Sequence, residues 1–218
     1  MAVAIRVLVN LVFGILPTLT FFWWAFHGCR LPVHIEILLS VEAAVGCNMV
    51  LFLAFGTIHT YLAGLRIDRT LYVVIAGLTS AAVITLWQTT PVELWQLTGE
   101  RFAWWFGTTQ FVVWLAGHMW IVSTIGLPQF LGWKEPDTKK LVTGGPFKYV
   151  RHPMHLSILV NLAVCPVMTL DRATLLVAVA TYLTAAVHDE EERLSEEYGL
   201  EWRVYRNRTP ALVPGFWR

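Results

Sequence analysis

An all-α, polytopic membrane protein is the fold class this sequence predicts, and three observations predict it. Of the 218 residues 56% are hydrophobic and only 14% charged, where a soluble domain carries about a quarter. The apolar residues fall in runs, several near the roughly 20 residues that cross a hydrocarbon core. The 11 Trp include pairs and clusters at the ends of those runs, where aromatic belts sit. A net charge of +1, with no basic stripe to track phosphates, excludes nucleic acid as a partner. Cys29, Cys47 and Cys165 are too few and too scattered for a disulfide framework or a metal cluster, and read as small buried hydrophobes. No metal is expected.

The elements follow in chain order. Residues 4–26 form the first span, with Pro17 placed to kink it and Trp23-Trp24 at its far interface. The run has no small-residue cleavage site, so it reads as a retained anchor. A short loop carries His27, Arg30 and His34. Residues 37–60 form the second span, with Glu42, Asn48 and His59 as its polar exceptions. A compact turn through Arg66, Asp68 and Arg69 leads to the third span, residues 71–87. Trp95, Trp104 and Trp105 mark an interfacial loop, and residues 107–125 form the fourth span, with His118 inside it. Residues 126–153 are polar, basic and punctuated by Gly and Pro. Two further apolar runs, 154–165 and 170–187, flank Pro166 and Asp171. The first is short for a crossing at about 1.5 Å per residue, so the pair reads as a helical hairpin, counted as two more spans if both runs cross. From His188 onward the tail is charged and amphipathic.

Charge placement orients the chain. With the N-terminus cytoplasmic, one side holds Arg6, Arg66, Arg69, Lys134, Lys139, Lys140, Lys148, Arg151 and the five arginines after His188. The other side holds Arg30, Arg101 and Arg172. This bias predicts that both termini are cytoplasmic. No internal repeat stands out, so residues 1–218 read as one integral-membrane domain, a four-span part (1–125) followed by a loop, hairpin and tail (126–218).

The chemistry is concentrated in Gly144-Gly145-Pro146-Phe147-Lys148-Tyr149-Val150-Arg151-His152-Pro153-Met154. The glycines and Pro146 rule out a regular helix, and Pro153 biases His152 towards an extended backbone while suiting the first turn of the helix that follows. A helix N-terminus beside Arg151 is an anion site in waiting. Farther on, His188-Asp189-Glu190-Glu191-Glu192-Arg193 puts acid where a helix C-terminus prefers cations. It reads either as a solvated helix end or as a carboxylate turned towards Arg151 or a cationic ligand. Arg151 opposite Glu190 and Glu191 suits a zwitterion, such as the amino-acid end of a cofactor. Charge held at a membrane pocket is expensive enough to point to function. His59, at the cytoplasmic end of the second span, is a candidate proton acceptor because imidazole titrates near neutrality. With no HExxH, Walker loop or GxGxxG, metal hydrolase, NTPase and Rossmann readings have no support.

The turn from Gly145 to Met154, then Glu190-Glu191, Leu194, Tyr198-Gly199, Trp202 and Tyr205, then Thr209-Pro210 and Val213-Pro214, resembles the isoprenylcysteine carboxyl methyltransferase-like membrane family. Phe55-Gly56-Thr57-Ile58-His59, Asp68-Arg69-Thr70-Leu71-Tyr72, Trp87-Gln88 and Cys165-Pro166-Val167-Met168-Thr169 are similar to its methanethiol S-methyltransferase and nurim branch, and Ser123-Thr124 with Leu131-Gly132 echo it. The resemblance implies S-adenosylmethionine as methyl donor. By it, Lys148, Tyr149, Arg151, His152, Pro153, His155, Glu190, Glu191, Trp202 and Tyr205 form the cofactor site; Arg151 and Glu191 are the candidate catalytic residues there, and His59 joins them because the orientation above brings it to the same face as Arg151. Three positions depart from the family pattern. His155 stands where a Tyr is usual, Trp202 replaces the first Tyr of the tail pair, and Gln129-Phe130-Leu131 replaces a His-Phe-acid stretch.

The expected reaction is methyl transfer to a thiol by in-line displacement, with a small apolar thiol such as methanethiol, or a lipid-attached one, as acceptor and membrane lipid around it. A free thiol is only a few per cent thiolate at neutral pH, so a base such as His59 helps. The alternatives are methylation of a prenylcysteine carboxylate, which needs no base, methylation of a phospholipid amine, or a non-catalytic nurim-like membrane protein.

Overall fold

The computed structural model describes residues 2–29, 35, 37, 39–65, 67–130 and 140–213. Arg30, His34, Arg66, Leu131, Gly132, Lys134, Lys139, Pro214 and Arg218, and the side chains of Arg6, Arg69, Gln129 and Phe130, belong to the sequence reading but lie outside the described residues. The rest forms two compact units, one of residues 1–111 and 162–182, the other of 112–161 and 183–218.

The first unit opens with α1 (Ala2–Val9), a π-helical turn (Asn10–Ile15) and α2 (Leu16–Phe26) in one continuous helical run. The kink expected at Pro17 takes the form of that widened turn. Pro17 has no N–H to give the carbonyl of Phe13, and the helix loosens just before it. In α4 (Arg69–Leu86), Gly77 packs against this same carbonyl, where an added Cβ would lie 2.2 Å from the Phe13 oxygen.

Helix α3 (Val41–Gly64) begins at Ser40, whose Oγ accepts from the Ala43 N–H, with Glu42 in the first turn where the helix dipole favours an acid. Asp68 caps α4 by accepting from the N–H groups of Thr70 and Leu71. Buried Asn48, a polar exception in the second span, has a specific partner in Gln88. Its Nδ2 donates to the Gln88 carbonyl and its Oδ1 accepts from the Gln88 N–H, each at 2.8 Å. Phe21, Trp24, Phe26, Phe52 and Trp87 are buried in the same unit, with Trp24 and Trp87 edge to face at 5.3 Å.

The all-helical expectation needs one correction. Strands β1 (Glu93–Gln96) and β2 (Val167–Thr169) pair antiparallel, with Glu93 opposite Thr169 and Gln96 opposite Val167. The pairing continues through Leu97 N–H to the Pro166 carbonyl and Leu170 N–H to the Val92 carbonyl. Two inter-helix segments thereby satisfy backbone groups that no helix serves. Buried Arg172 donates to the carbonyls of Leu162 and Phe26 and to Gln110, and Asp171 accepts from the Thr90 N–H. Cys29 and Cys165 are buried as expected, but Cys47 is exposed on an outward face of α3.

Among the described residues three helices are long and apolar enough to cross a membrane: Val7–Phe26, Val41–Leu62 and Leu170–Tyr198. The expected third span is the shorter apolar helix Thr70–Leu86. The expected fourth is α5 (Glu100–Ile125), which has 26 residues but is polar through Glu100, Arg101, Gln110 and His118. The first hairpin arm, α7 (Pro153–Ala163), is short, about 16 Å of helix. Helix α8 (Leu170–Tyr198) does not stop at Val187. It runs 29 residues without a break, so the acidic cluster sits inside a helix and not at its end.

Replacing Gly77 with alanine should destabilise the detergent-solubilised protein by about 1–3 kcal/mol, because backbone and not a pliable side chain meets the new Cβ. Gly46→Ala, where nothing lies within 4 Å of the new atom, should be neutral or stabilising. Thermal unfolding of the two variants checks the contrast.

Candidate functional site

The second unit carries the site, and its backbone brings three distant segments to one place. A 3-10 turn (Gly145–Lys148) leads to Arg151 and His152. The His152 carbonyl accepts from the Leu156 N–H at 3.1 Å and so starts α7, with Pro153 at its first position. Helix α8 supplies Glu190 and Glu191. Gly199, at φ +51, turns the chain out of α8 into α9 (Leu200–Arg208), and a residue with a side chain resists that conformation. Helix α9 brings Trp202 and Tyr205, and the segment after it pairs with the turn. Arg151 N–H donates to the Pro210 carbonyl at 2.9 Å and His152 N–H to the Ala211 carbonyl at 3.0 Å.

Glu191 is the common acceptor. Its Oε1 takes Arg151 Nε at 2.9 Å, lies 2.7 Å from the second guanidinium nitrogen Nη2, and is 3.1 Å from His152 Nε2. Arg206 Nε approaches its other oxygen at 3.5 Å. Arg151 Nη1 donates to the carbonyls of Arg206 (3.1 Å) and Thr209. The guanidinium carbon lies 5.9 Å from the Trp202 ring centroid, in reach of a cation–π attraction. Arg151, His152 and Trp202 are all buried. His152 has a carboxylate at each ring nitrogen, Glu190 at 3.3 Å from Nδ1 and Glu191 at Nε2. Burial alone would lower its pKa, but those hydrogen bonds and charges outweigh it and hold His152 above its ordinary value. Tyr205 Oη donates to the Phe147 carbonyl at 2.7 Å. Burial pushes its phenol up to about 12, with Arg151 opposing and Glu191 adding.

Seven sequence-predicted residues therefore share one unit and one neighbourhood: Arg151, His152, His155, Glu190, Glu191, Trp202 and Tyr205. His155 reaches it by stacking on His152, ring centroids 5.4 Å apart. Pro153 shapes the start of α7. Lys148 and Tyr149 belong to the same turn but are exposed, Tyr149 by 63%. His59 belongs to the first unit, where it packs on Phe55 (4.3 Å between ring centroids) and makes long contacts to Tyr72 Oη (3.4 Å) and Thr79 Oγ1 (3.5 Å). A cavity of about 310 Å³ in the first unit is lined by His27, Glu93, Glu100, Trp104, Gln110 and Arg172, and by none of the sequence-predicted site residues.

Sequence reasoning missed Arg206, Thr209 and Phe147. All three offer a backbone carbonyl, which no side-chain pattern reveals, and Arg206 adds its side chain beside Glu191. Only the Thr209-Pro210 motif pointed to that stretch.

Fold and site define a class: a helical membrane protein with an Arg-His-Pro turn clamped to an acidic pair beneath a C-terminal helix. Residues 108–196 match the Isoprenylcysteine carboxyl methyltransferase (ICMT) family. That bears out the resemblance carried by the motifs. Among curated proteins, the chain is 26% identical over 199 residues to Methanethiol S-methyltransferase 1 of Bradyrhizobium diazoefficiens, covering 82% of this chain and 69% of that one. It is 25% identical to Methanethiol S-methyltransferase of Mycobacterium tuberculosis over 80% of each chain. It is 26% identical to Nurim of Mus musculus over 67% of this chain and 66% of the relative. No solved structure matches.

Replacing Arg151 with alanine leaves the Glu191 carboxylate buried without its main partner and should cost about 3–5 kcal/mol of stability. Lysine at 151 should recover only part of this, having no planar fork to serve Glu191 and two carbonyls together. Lys148→Ala should be silent. Thermal melts of the three variants decide it.

Proposed function

We propose that this chain transfers a methyl group from S-adenosylmethionine to a thiol, with a small apolar thiol such as methanethiol as acceptor. The observation that carries the reading is the Arg151–Glu191–His152 cluster, whose members all lie in the stretch that matches the methyltransferase family. The names of the bacterial relatives support the choice of thiol. We also propose four full spans, a hairpin and a cytoplasmic tail in one methyltransferase domain, with both termini cytoplasmic. The charge bias supports that orientation.

The residues present fit the donor. Trp202 Nε1 and His155 Nδ1 are buried with no hydrogen-bond partner among the described residues. Glu190, paired with His152 through Oε2, keeps a side chain 44% exposed, so its carboxylate can also face a sulfonium or an ammonium. Glu190, Trp202 and Tyr205, with Lys148 and Tyr149 at the rim, would hold the cofactor, which supplies an already activated methyl group when bound. Arg151 takes a positioning role, because its N–H donors are committed to Glu191 and two carbonyls. It fixes Glu191, and Glu191 fixes the His152 ring. The protein's task is then alignment of the acceptor sulfur with the methyl group and exclusion of water by α9 and the segment at Thr209-Pro210. His59 is the proposed base for the thiol proton.

Membranes containing the protein, given methyl-labelled S-adenosylmethionine and methanethiol, should form labelled dimethyl sulfide. His59→Ala should slow this about 100-fold, and Arg151→Ala should abolish it. Methylation of a prenylcysteine carboxylate or a phospholipid amine with no thiol product would refute the choice of acceptor. Failure of the labelled cofactor to bind at all would refute the enzyme reading.

A further inference from the structure

We infer that the cavity of about 310 Å³ in the first unit holds the headgroup of one zwitterionic phospholipid of the phosphatidylethanolamine type. Its phosphate lies at Arg172 and its ammonium at Glu93 and Glu100. None of the residues assigned to methyl transfer lines this cavity, so the site stands apart from that reading.

The place of the cavity selects a lipid. Two of the helices able to cross a membrane end at it. Val7–Phe26 contributes its last residue, Phe26, and Leu170–Tyr198 contributes Arg172 from its first turn. Lipid headgroups lie at the level of span ends, and tryptophan collects there. Trp104 lines the cavity, Trp23 stacks on the lining residue His27 with ring centroids 4.0 Å apart, and Trp95 Nε1 donates to the Cys165 carbonyl at 3.3 Å.

Charge along the cavity matches charge along the ligand. A zwitterionic headgroup carries its phosphate next to the hydrocarbon and its ammonium towards water. Arg172 supplies the cation on the hydrocarbon side. Its Nε donates to the Leu162 carbonyl at 2.9 Å and its Nη1 to the Phe26 carbonyl at 3.0 Å, which fixes the plane of the guanidinium. The third contact, from Nη2 to Gln110 Oε1, is long at 3.4 Å, and a phosphate oxygen makes a stronger, charge-assisted bond with that donor.

The acids lie outside the spans, on the water side. Glu93 stands opposite Thr169 in the strand pair, three residues before Arg172, and Glu100 opens α5. Both line the cavity and both are exposed. On α5 the lining residues Glu100, Ala103, Trp104, Gly107 and Gln110 recur at helical spacing, so one face of the helix runs from an acid through an aromatic ring to an amide. Two carboxylates beside an exposed indole suit a primary ammonium, through charge-assisted hydrogen bonds and a cation–π attraction. An anionic headgroup such as that of phosphatidylglycerol meets the same two carboxylates as repulsion, which disfavours it.

The test is native mass spectrometry of the full chain, purified in detergent and offered phosphatidylethanolamine, phosphatidylglycerol or soluble phosphoethanolamine. We expect about one phosphatidylethanolamine per chain, held about tenfold more tightly than phosphatidylglycerol. Glu93→Gln combined with Glu100→Gln should remove that preference, and Glu93→Lys should turn it towards phosphatidylglycerol. Glu201→Gln, at an exposed carboxylate on α9, should change nothing. Arg172→Gln should weaken both lipids. Arg172 also ties Leu162 to Phe26, so where that variant fails to fold the exposed Glu93 and Glu100 variants decide. Equal retention of the two lipids, or a preference that survives the Glu93 and Glu100 changes, means annular lipid only and overturns the site. Displacement of the lipid by phosphoethanolamine at equal concentration overturns the bilayer as the source of the ligand.

Discussion

One carboxylate oxygen, Oε1 of Glu191, holds the second unit's chemistry together. It faces two nitrogens of Arg151 and one of His152, all largely shielded from water. Charge-assisted bonds of this kind are strong and short because low local dielectric raises their worth. The same burial makes each member costly to leave unpaired. Arg151 passes the constraint on, since its remaining donors reach the carbonyls of Arg206 and Thr209. The Arg-His-Pro turn, the α8 helix and the C-terminal segment are therefore fixed by one ionic knot, and the ring of His152 is oriented by it.

A comparable logic runs through the first unit. Asn48 and Gln88 exchange two backbone-directed bonds in an otherwise apolar setting, and Arg172 is enclosed by carbonyl and amide oxygens. Polar side chains in apolar helices are thus used as fasteners at the ends of runs.

The meeting of the Arg151-His152 turn with Glu190 and Glu191 was legible because unlike charges in an apolar chain have few other partners, and the family motifs placed them together. The course of α8 was not. Composition changes sharply at His188, which reads as a break, yet Glu, Arg and Leu are good helix formers, and His188 with Glu192, 3.3 Å apart one turn on, continues the helix. The β1–β2 pair was also hidden, since its residues show no alternating burial and pair only to satisfy backbone groups. The exposure of Tyr149 illustrates a further limit. Membership of a motif places a residue on a turn, but the twist of that turn decides which way its side chain faces.

The central claim is that Arg151 and Glu191 act as one unit. A double-mutant cycle of Arg151→Ala and Glu191→Gln, read by thermal stability and by S-adenosylmethionine binding, measures it directly. The account predicts strong coupling, the two changes together costing less than their sum by about 1.5 kcal/mol or more. Effects that add to within about 0.5 kcal/mol would contradict it.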